Sequence, residues 1–308
     1  AARRAVAVEA TRRWLALAAA GEIVAVRRER VERLETALAL LEARHQLGEV
    51  AGTEVSQLDL EHSTASSELE LAAATAAGLA HGVAELCGDA FPAPQLGDLE
   101  VLTRLSATPA PDRLVPEALA AGPPLRLAGW QAEIETASAR LAATTAYGLP
   151  EVEAEWERFP ALDGLDGYDA WGFRVAVPLP LGSAGSRQRV AARERQAAAA
   201  AGLEAALAEA LREARGELAS AAGAEARLRS LEPLLAGLDR IEASLFAQYR
   251  LGAIGYLEYV AGVARHDEVL LAVIDARAEL LAARLRLGNL LGDPALFPAA
   301  DVAVEECS

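Results

Sequence analysis

Two short runs of alternating residues near the middle of the chain decide the fold: Glu151-Val-Glu-Ala-Glu-Trp-Glu-Arg158 and Trp171-Gly-Phe-Arg-Val-Ala-Val-Pro-Leu-Pro-Leu181. Successive side chains of a β-strand point to opposite faces, so strict alternation predicts a strand whose two faces differ. Residues 163–167 contain two Asp-Gly pairs and predict a turn between the runs. The sequence therefore predicts one β-hairpin, whose second strand ends at Pro178 and Pro180 because proline cannot donate to the ladder.

One face of this hairpin is predicted to be polar and the other apolar. The polar set is Glu151, Glu153, Glu155, Glu157 and Arg174. The apolar set is Val152, Trp156, Trp171, Phe173, Val175 and Val177. Each run has about the 9–11 residues that cross a bilayer as a tilted strand, and six of the 14 aromatic residues lie within residues 147–173, as aromatic girdles require. The pattern predicts a hairpin of a transmembrane β-barrel, with the polar set in the lumen and the apolar set against lipid. A soluble, half-buried hairpin is the alternative.

The rest of the chain is predicted to be helical apart from one connector. Ala, Leu, Glu and Arg recur at helical spacing in five stretches. These are residues 5–45, 54–87, 125–145 and 186–249 and the stretch from there to residue 291. As one helix, residues 187–249 would extend about 95 Å, with Ser186 as N-cap and a bend or interruption at Pro233. Residues 91–124 hold seven of the 14 prolines, which predicts a connector and not a helix.

An internal repeat relates two parts of the chain. When the sequence is shifted by 204 residues, identical residues align without a gap. Leu47-Gly48, Glu54, His62 and Gly88-Asp89 then fall on Leu251-Gly252, Glu258, His266 and Gly292-Asp293. Self-similarity of this kind predicts two copies of one supersecondary unit. The second copy starts near Leu125, so in this register the first copy lacks about 80 residues, equivalent to one helix and one hairpin. These residues and a signal peptide are expected ahead of Ala1 in a complete parent protein.

Each copy contains a Leu-Gly pair between two helical stretches. Glycine tolerates positive φ, so these pairs predict tight reversals joining antiparallel helices. Two such turns at one end of a helical rod would form a docking tip for a partner. Ordinary turns of helical hairpins are the alternative that the sequence leaves open.

These features divide the chain into six segments. They are an incomplete first-repeat helical hairpin (1–90), a Pro-rich connector (91–124), a helix of the second repeat (125–146), the barrel hairpin (147–185), the second-repeat long helical hairpin (186–292) and a C-terminal tail (293–308).

Composition and motifs exclude several functional classes. The chain has 45 acidic and 29 basic residues, a net charge of −16, which argues against a nucleic-acid partner because phosphates need a basic face. Cys87 and Cys307 provide neither a disulfide framework nor metal-ligand spacing. No metal site is predicted from the four scattered histidines, His45, His62, His81 and His266. No catalytic triad, phosphate loop or apolar carboxylate pair is present, so we expect no cofactor and no enzyme.

The run from Trp171 to Leu181, followed by Gly-Ser and an Arg/Ala/Glu-rich helix, resembles the second hairpin and long helix of TolC-like outer-membrane efflux proteins. Tyr249-Arg-Leu-Gly-Ala-Ile-Gly-Tyr-Leu-Glu258 resembles the tip motif of that family, and Leu290-Leu-Gly292 and Leu149-Pro150 are similar as well. The resemblance covers nearly the whole chain and rests mainly on the order of the elements.

The resemblance implies a mainly α protomer, with long antiparallel helices of an α-barrel and one β-hairpin contributing to a transmembrane β-barrel. It implies a homotrimer in the outer membrane of a Gram-negative bacterium, with helices in the periplasm that meet a periplasmic adaptor coupled to an inner-membrane pump. A trimer of this chain alone would supply only half the strands of such a barrel. The partner-contact residues implied at the tips are Leu47, Gly48, Glu54, Leu251, Gly252 and Glu258. Gln57 and Ala261 stand where some relatives carry an acidic gate residue.

The predicted function is thus the outer-membrane channel of a tripartite efflux system, a passive conduit for exported solutes, with metal ions or drugs as candidate cargo. The competing hypothesis is a soluble periplasmic helical scaffold or adaptor without a barrel. An enzyme with a helical core is a weaker rival, for which the sequence offers no site.

Overall fold

The described chain is largely helical. The computed structural model describes residues 2–88, 92–110, 119, 122–145, 151–160, 168–177 and 184–292. Its elements are α1 (Ala2–Gln46), α2 (Gly52–Cys87), α3 (Asp98–Leu105), α4 (Pro123–Thr145), β1 (Glu151–Phe159), β2 (Tyr168–Ala176), α5 (Ala184–Arg250) and α6 (Tyr256–Leu291). The prediction of a mainly α chain with long helices and one β-hairpin is confirmed.

Several predictions fall on other parts of the chain. Tyr147, Leu149-Pro150, the turn at 163–167, the strand end from Pro178 to Leu181 and the tail at 293–308 lie outside the described residues.

The chain forms two compact units. One consists of residues 1–123 and 211–308, and the other of residues 124–210. The long helix α5 contributes residues to both units. The β-hairpin belongs to the second unit, and both Leu-Gly turns belong to the first.

Helix α6 shows why the helices of the first unit pack together. One stripe of its buried residues recurs at intervals of three, four or seven: Tyr256, Tyr259, Val263, His266, Val273, Leu280, Arg284 and Leu287. This spacing is typical of a heptad seam, in which one stripe of a helix faces its neighbours along its whole length. Most of the seam is apolar, and its two polar members, His266 and Arg284, each sit in a network of charged groups described below.

Three apolar clusters form the core of this unit. The tip cluster, next to the two Leu-Gly turns, consists of Leu34, Ala37, Leu41, Leu58, Ala65, Tyr249, Tyr256, Tyr259 and Val263. A second cluster joins α1, α3 and α6 around Leu15, Leu99 and Leu281. A third joins α5 to α6 and is rich in alanine, with Ala221 and Ala224 from α5 and Ala276 and Ala283 from α6. Small side chains at such contacts let two helices approach closely.

The predicted connector contains a helix that the sequence analysis does not expect. Helix α3 spans Asp98–Leu105 inside residues 91–124. The prolines of this segment flank the helix, because none lies between residues 95 and 108. Asp98 accepts a hydrogen bond of 2.7 Å from the amide of Gln95 at the start of the helix, and Leu99 is fully buried in the second cluster.

The structure bears on two local expectations for α5. The helix is continuous through Pro233, so of the predicted bend or interruption the interruption is absent. Leu231 and Leu235 on either side pack on the third cluster, and this packing offsets the missing amide donor of the proline. The helix begins at Ala184, so Ser186 lies in its first turn and is not the N-cap.

The internal repeat is visible in the backbone. Helices α2 and α6 both have 36 residues and begin at positions 52 and 256, which are 204 residues apart. Each ends at a glycine with positive φ, Gly88 at 80° and Gly292 at 71°. The amide of each of these glycines bonds the carbonyl four residues earlier, in Ala84 and Gly288.

Candidate functional sites at the helical turns and the β-hairpin

The turn between α1 and α2 closes with a Schellman-type pattern of hydrogen bonds. The amide of Gly48 donates to the carbonyl of His45 at 2.9 Å, and the amide of Glu49 donates to the carbonyl of Arg44 at 3.0 Å. Gly48 has φ +76°, a left-handed conformation that glycine adopts at little cost. The sequence-predicted Leu47-Gly48 reversal is therefore present in the structure.

The turn between α5 and α6 repeats this pattern 204 residues later. The amide of Gly252 donates to the carbonyl of Tyr249 at 3.0 Å, and that of Ala253 donates to Gln248 at 2.9 Å. Gly252 has φ +71°. The two turns are thus the same backbone structure built twice.

The turns present apolar side chains to solvent. Leu47 is 75% exposed and Leu251 is 77% exposed. Of the two glutamates assigned to the tips, Glu54 is half-buried and Glu258 is exposed. Arg44 links the turns, because its Nη2 donates to the carbonyl of Arg250 at 2.6 Å.

Below the second turn, three tyrosines fill the tip cluster. The rings of Tyr249 and Tyr259 stack with centroids 4.8 Å apart. The hydroxyl of Tyr249 donates to the carbonyl of Ala37 at 3.3 Å, and the hydroxyl of Tyr256 donates to the Gln57 side chain. Burial raises the pKa of Tyr259 to about 12. These hydroxyls tie α5 and α6 to α1 and α2 near the turns.

The β-hairpin has a defined register in the second unit. Glu153 is opposite Arg174, Glu155 opposite Gly172, Val152 opposite Val175, and Trp156 opposite Trp171. Directly opposite residues of an antiparallel pair share a face. The four glutamates therefore lie on the face of Arg174, and Val152, Trp156, Trp171, Phe173 and Val175 lie together on the other face.

Side-chain pairs support this register on both faces. Arg174 Nη1 lies 3.3 Å from Glu153 Oε2 on the acidic face. On the apolar face, Trp156 and Trp171 have ring centroids 6.1 Å apart. The apolar face ends toward the turn at the ion pair of Arg158 and Asp169, whose Nε and Oδ1 are 3.8 Å apart.

Both faces of the hairpin are open. The apolar side chains are among the most exposed of the described chain: Val152 71%, Trp156 54%, Trp171 68%, Phe173 75%, Val175 63% and Val177 62%. A two-stranded sheet is only marginally stable in water, and large apolar side chains in a continuous exposed patch mark a surface that another phase or molecule covers. The hairpin is thus built to be covered on its apolar face.

Two networks of buried charge were missed by the sequence analysis. The first is centred on Arg284, whose side chain is 7% exposed. Its Nη1 donates to the carbonyls of Thr103 and Ser106 at the end of α3, each at 2.9 Å. Its Nη2 donates to Glu225 Oε1 at 2.9 Å. Burial opposes ionisation of Glu225, but hydrogen bonds from Thr108 and Arg284 outweigh it and lower the pKa of Glu225. The other network surrounds His266. In the sequence, the signal for each network is one polar residue, His266 or Arg284, at a position where the stripe of α6 is otherwise apolar.

Within the described ranges, no helix is both long enough and apolar enough to cross a membrane. The described residues also contain no group of three or more His, Cys, Asp or Glu side chains arranged to hold a metal ion.

Comparison with known proteins gives a result only at the level of structure. No family model and no curated protein matches the chain. The outer membrane protein VceC from Vibrio cholerae matches with a TM-score of 0.73 at 18% identity, over 94% of this chain and 70% of that one. The CmeC outer membrane channel of Campylobacter jejuni matches with a TM-score of 0.72 at 13% identity, over 99% of this chain and 67% of that one. The MtrE outer membrane channel of Neisseria gonorrhoeae matches with a TM-score of 0.72 at 15% identity, over 96% of this chain and 67% of that one.

The chain therefore has the fold of a protomer of TolC-like outer-membrane efflux channels, as the resemblance in the sequence predicted. It spans roughly two thirds of the length of these channels.

Proposed function

We propose that this chain is a protomer of the outer-membrane channel of a tripartite efflux system, a passive conduit for exported solutes. The observation that carries the proposal is the β-hairpin, whose apolar face is exposed and whose opposite face carries four glutamates and Arg174. Water on one side and hydrocarbon on the other is the environment that such a strand pair fits. The shared fold with outer-membrane channels supports the same assignment.

In this proposal the hairpin is one part of a β-barrel that closes between protomers of a homotrimer. An unpaired strand edge is not tolerated in hydrocarbon, because no water is present to satisfy its amides and carbonyls. Among the described residues β1 pairs with β2 and with no other strand, so the outer edges of the hairpin must pair with further strands. Strands of neighbouring protomers would supply part of this pairing, since a trimer of this chain alone would give only half the strands of such a barrel.

The two Leu-Gly turns would be the periplasmic end of the helical tunnel and the contact with an adaptor. The exposed Leu47 and Leu251 offer apolar contact, and both project from turns of the same geometry. An adaptor coupled to an inner-membrane pump would bind there and displace the helices slightly. The chain would supply no energy, since the channel itself only conducts.

The first experiment locates and sizes the protein expressed from its own gene. We expect it in the outer-membrane fraction, and we expect chemical cross-linking to give a trimer that conducts ions in planar bilayers. A protein found only in the soluble periplasmic fraction, without conductance, would instead favour the helical scaffold.

The acidic face predicts the selectivity of the pore. If Glu151, Glu153, Glu155 and Glu157 line the lumen, replacing all four with Gln removes negative charge from the conduction path. We expect the cation preference, measured as the reversal potential in a salt gradient, to fall toward zero. An unaltered preference in the hairpin variant would show that these glutamates do not line the pore.

A further inference from the structure

His266 sits in a closed ring of charged groups from three helices. Its Nε2 lies 3.2 Å from Glu242 Oε2 of α5, and its Nδ1 lies 3.3 Å from Arg33 Nη1 of α1. Arg33 completes the ring, with Nη1 at 2.9 Å from Glu242 Oε2 and Nη2 at 2.8 Å from Asp267 Oδ1. This His266 ring thus joins α1, α5 and α6 directly.

The ring borders the tip cluster. Arg33 is next to Leu34, and His266 lies one turn from Val263, both of which belong to that cluster. Asp267 is 2% exposed and His266 is 7% exposed. Because water is largely excluded here, each donor and acceptor depends on the others, and changing one rearranges the rest.

The two ring nitrogens of His266 have competing partners. Nδ1 is near an obligatory donor, Arg33 Nη1 at 3.3 Å, and near an acceptor, Asp267 Oδ1 at 3.4 Å. A neutral imidazole with its proton on Nε2 can donate to Glu242 and accept from Arg33. A protonated imidazole donates from both nitrogens and has no lone pair for Arg33. Protonation of Nδ1 therefore replaces the hydrogen bond that Nδ1 accepts from Arg33 of α1 with one that it donates to Asp267 of its own helix, α6.

We propose that His266 is a proton-operated latch: neutral, it accepts a hydrogen bond from Arg33 of α1 beside the turns, and protonated, it loses that bond and loosens the attachment of α1. The other charged groups facing the ring are Arg30 of α1, whose Nε lies 3.7 Å from Asp267 Oδ2, and the α2 carboxylates that hold Arg30. These are Glu68 at 3.1 Å and, more distantly, Glu61 at 4.0 Å. Protonation leaves the ion pairs of Arg33 with Glu242 and Asp267 in place, but it removes the bond from Arg33 to Nδ1 and sets an imidazolium 3.3 Å from the guanidinium, which weakens the attachment of α1.

An unsatisfied oxygen in the ring supports a rearrangement. Asp267 Oδ2 is buried and accepts no hydrogen bond in the described structure, and the buried Arg33 Nε donates none. A buried polar atom without a partner is costly, so these two atoms favour any rearrangement of the ring that gives them partners. Asp267 is a further group of the ring that can take up a proton, because burial raises its pKa against the opposing effect of Arg33. The test must therefore separate the two.

The latch is tested by measuring the distance between α1 and α6 at different pH values. This measurement does not depend on channel activity. Spin labels are placed at two exposed positions, Glu35→Cys and Glu268→Cys, in the chain with both native cysteines replaced by Ser. Electron–electron distance measurements are made between about pH 8 and pH 5, the range in which imidazoles titrate. We expect a longer and broader distribution at low pH, shifted by about 2 Å, the size of helix shifts in switching proteins.

The repeat provides the matched control. His62 of α2 occupies the position equivalent to His266. The variant His266→Gln should hold one distance at both pH values, whereas His62→Gln should keep the full response. A response that survives in His266→Gln, or a wild-type distance that does not change with pH, would overturn the latch. Either result leaves the proposed channel function standing, because that is decided by location and conductance.

Discussion

The two Leu-Gly turns share one backbone and differ in what packs beneath them. Both close with the same hydrogen bonds, and Gly48 and Gly252 have φ values of 76° and 71°. The second turn rests on Tyr249, Tyr256 and Tyr259, where the first has His45, Gly52 and Val55 at the equivalent positions. The backbone of the repeat has therefore been kept while its packing has diverged.

This difference shows how one core can serve two turns. Because the aromatic side chains come from one copy only, the tip cluster is shared, and α1 and α2 pack on tyrosines of the second copy. At the equivalent positions 58 and 262 the first copy has the buried Leu58 and the second has Gly262, whose missing side chain makes room for Leu245. A duplicated unit can in this way fold into one body with an asymmetric interior.

The largest effect is expected from removing a tyrosine of the tip cluster. Tyr259→Ala should lower the free energy of unfolding by about 3–5 kcal/mol, as for other large aromatic residues truncated in a core. Its repeat equivalent Val55 is half-buried, and Val55→Ala should cost about 1 kcal/mol. Denaturant unfolding followed by circular dichroism measures both. Equal losses would show that the two copies share the core evenly.

The next effect concerns Arg284, whose equivalent in the first copy is the exposed Ala80. Arg284→Met leaves Glu225 and the carbonyls of Thr103 and Ser106 without their partner, at a cost of about 3 kcal/mol. Ala80→Met, the matched change, should alter the unfolding free energy by less than about 0.5 kcal/mol.

The same variant should change the response to acid. The pKa of Glu225 is lowered in the folded chain, so its contribution is present above its ordinary pKa of about 4.5 and is lost as the pH falls through the lowered value. In Arg284→Met the decline of stability below about pH 4.5 should therefore be shallower. An identical acid profile in both proteins would contradict the role of this ion pair.

Sequence reasoning succeeded where the signal is local. Alternation over eight residues located β1, and two Leu-Gly pairs located both turns. It failed where the partners are distant: Arg33 and His266 are 233 residues apart, and no local pattern links them. It failed at α3 because the proline content of the whole segment hid the proline-free stretch around Leu99.

The smallest effect tests the shared backbone itself. Gly48→Ala and Gly252→Ala should each cost about 1–2 kcal/mol, because a Cβ is strained at positive φ. No atom lies within 4 Å of a Cβ built on Gly48, and the nearest to one on Gly252 is 3.6 Å away in Arg44. Steric contact therefore adds little at either site, and the two losses in unfolding free energy should agree. Clearly unequal losses would mean that the turns are not equivalent.

The most direct test of the channel assignment is the labelling of single cysteines along the hairpin in outer-membrane vesicles. A charged maleimide should react with cysteines at Glu153, Glu155 and Arg174 and should not react at Val152, Trp171 and Phe173, because the first set faces water and the second faces hydrocarbon. The account predicts this alternation along both strands. Reaction at all six positions would contradict it and would mean that the hairpin lies in water.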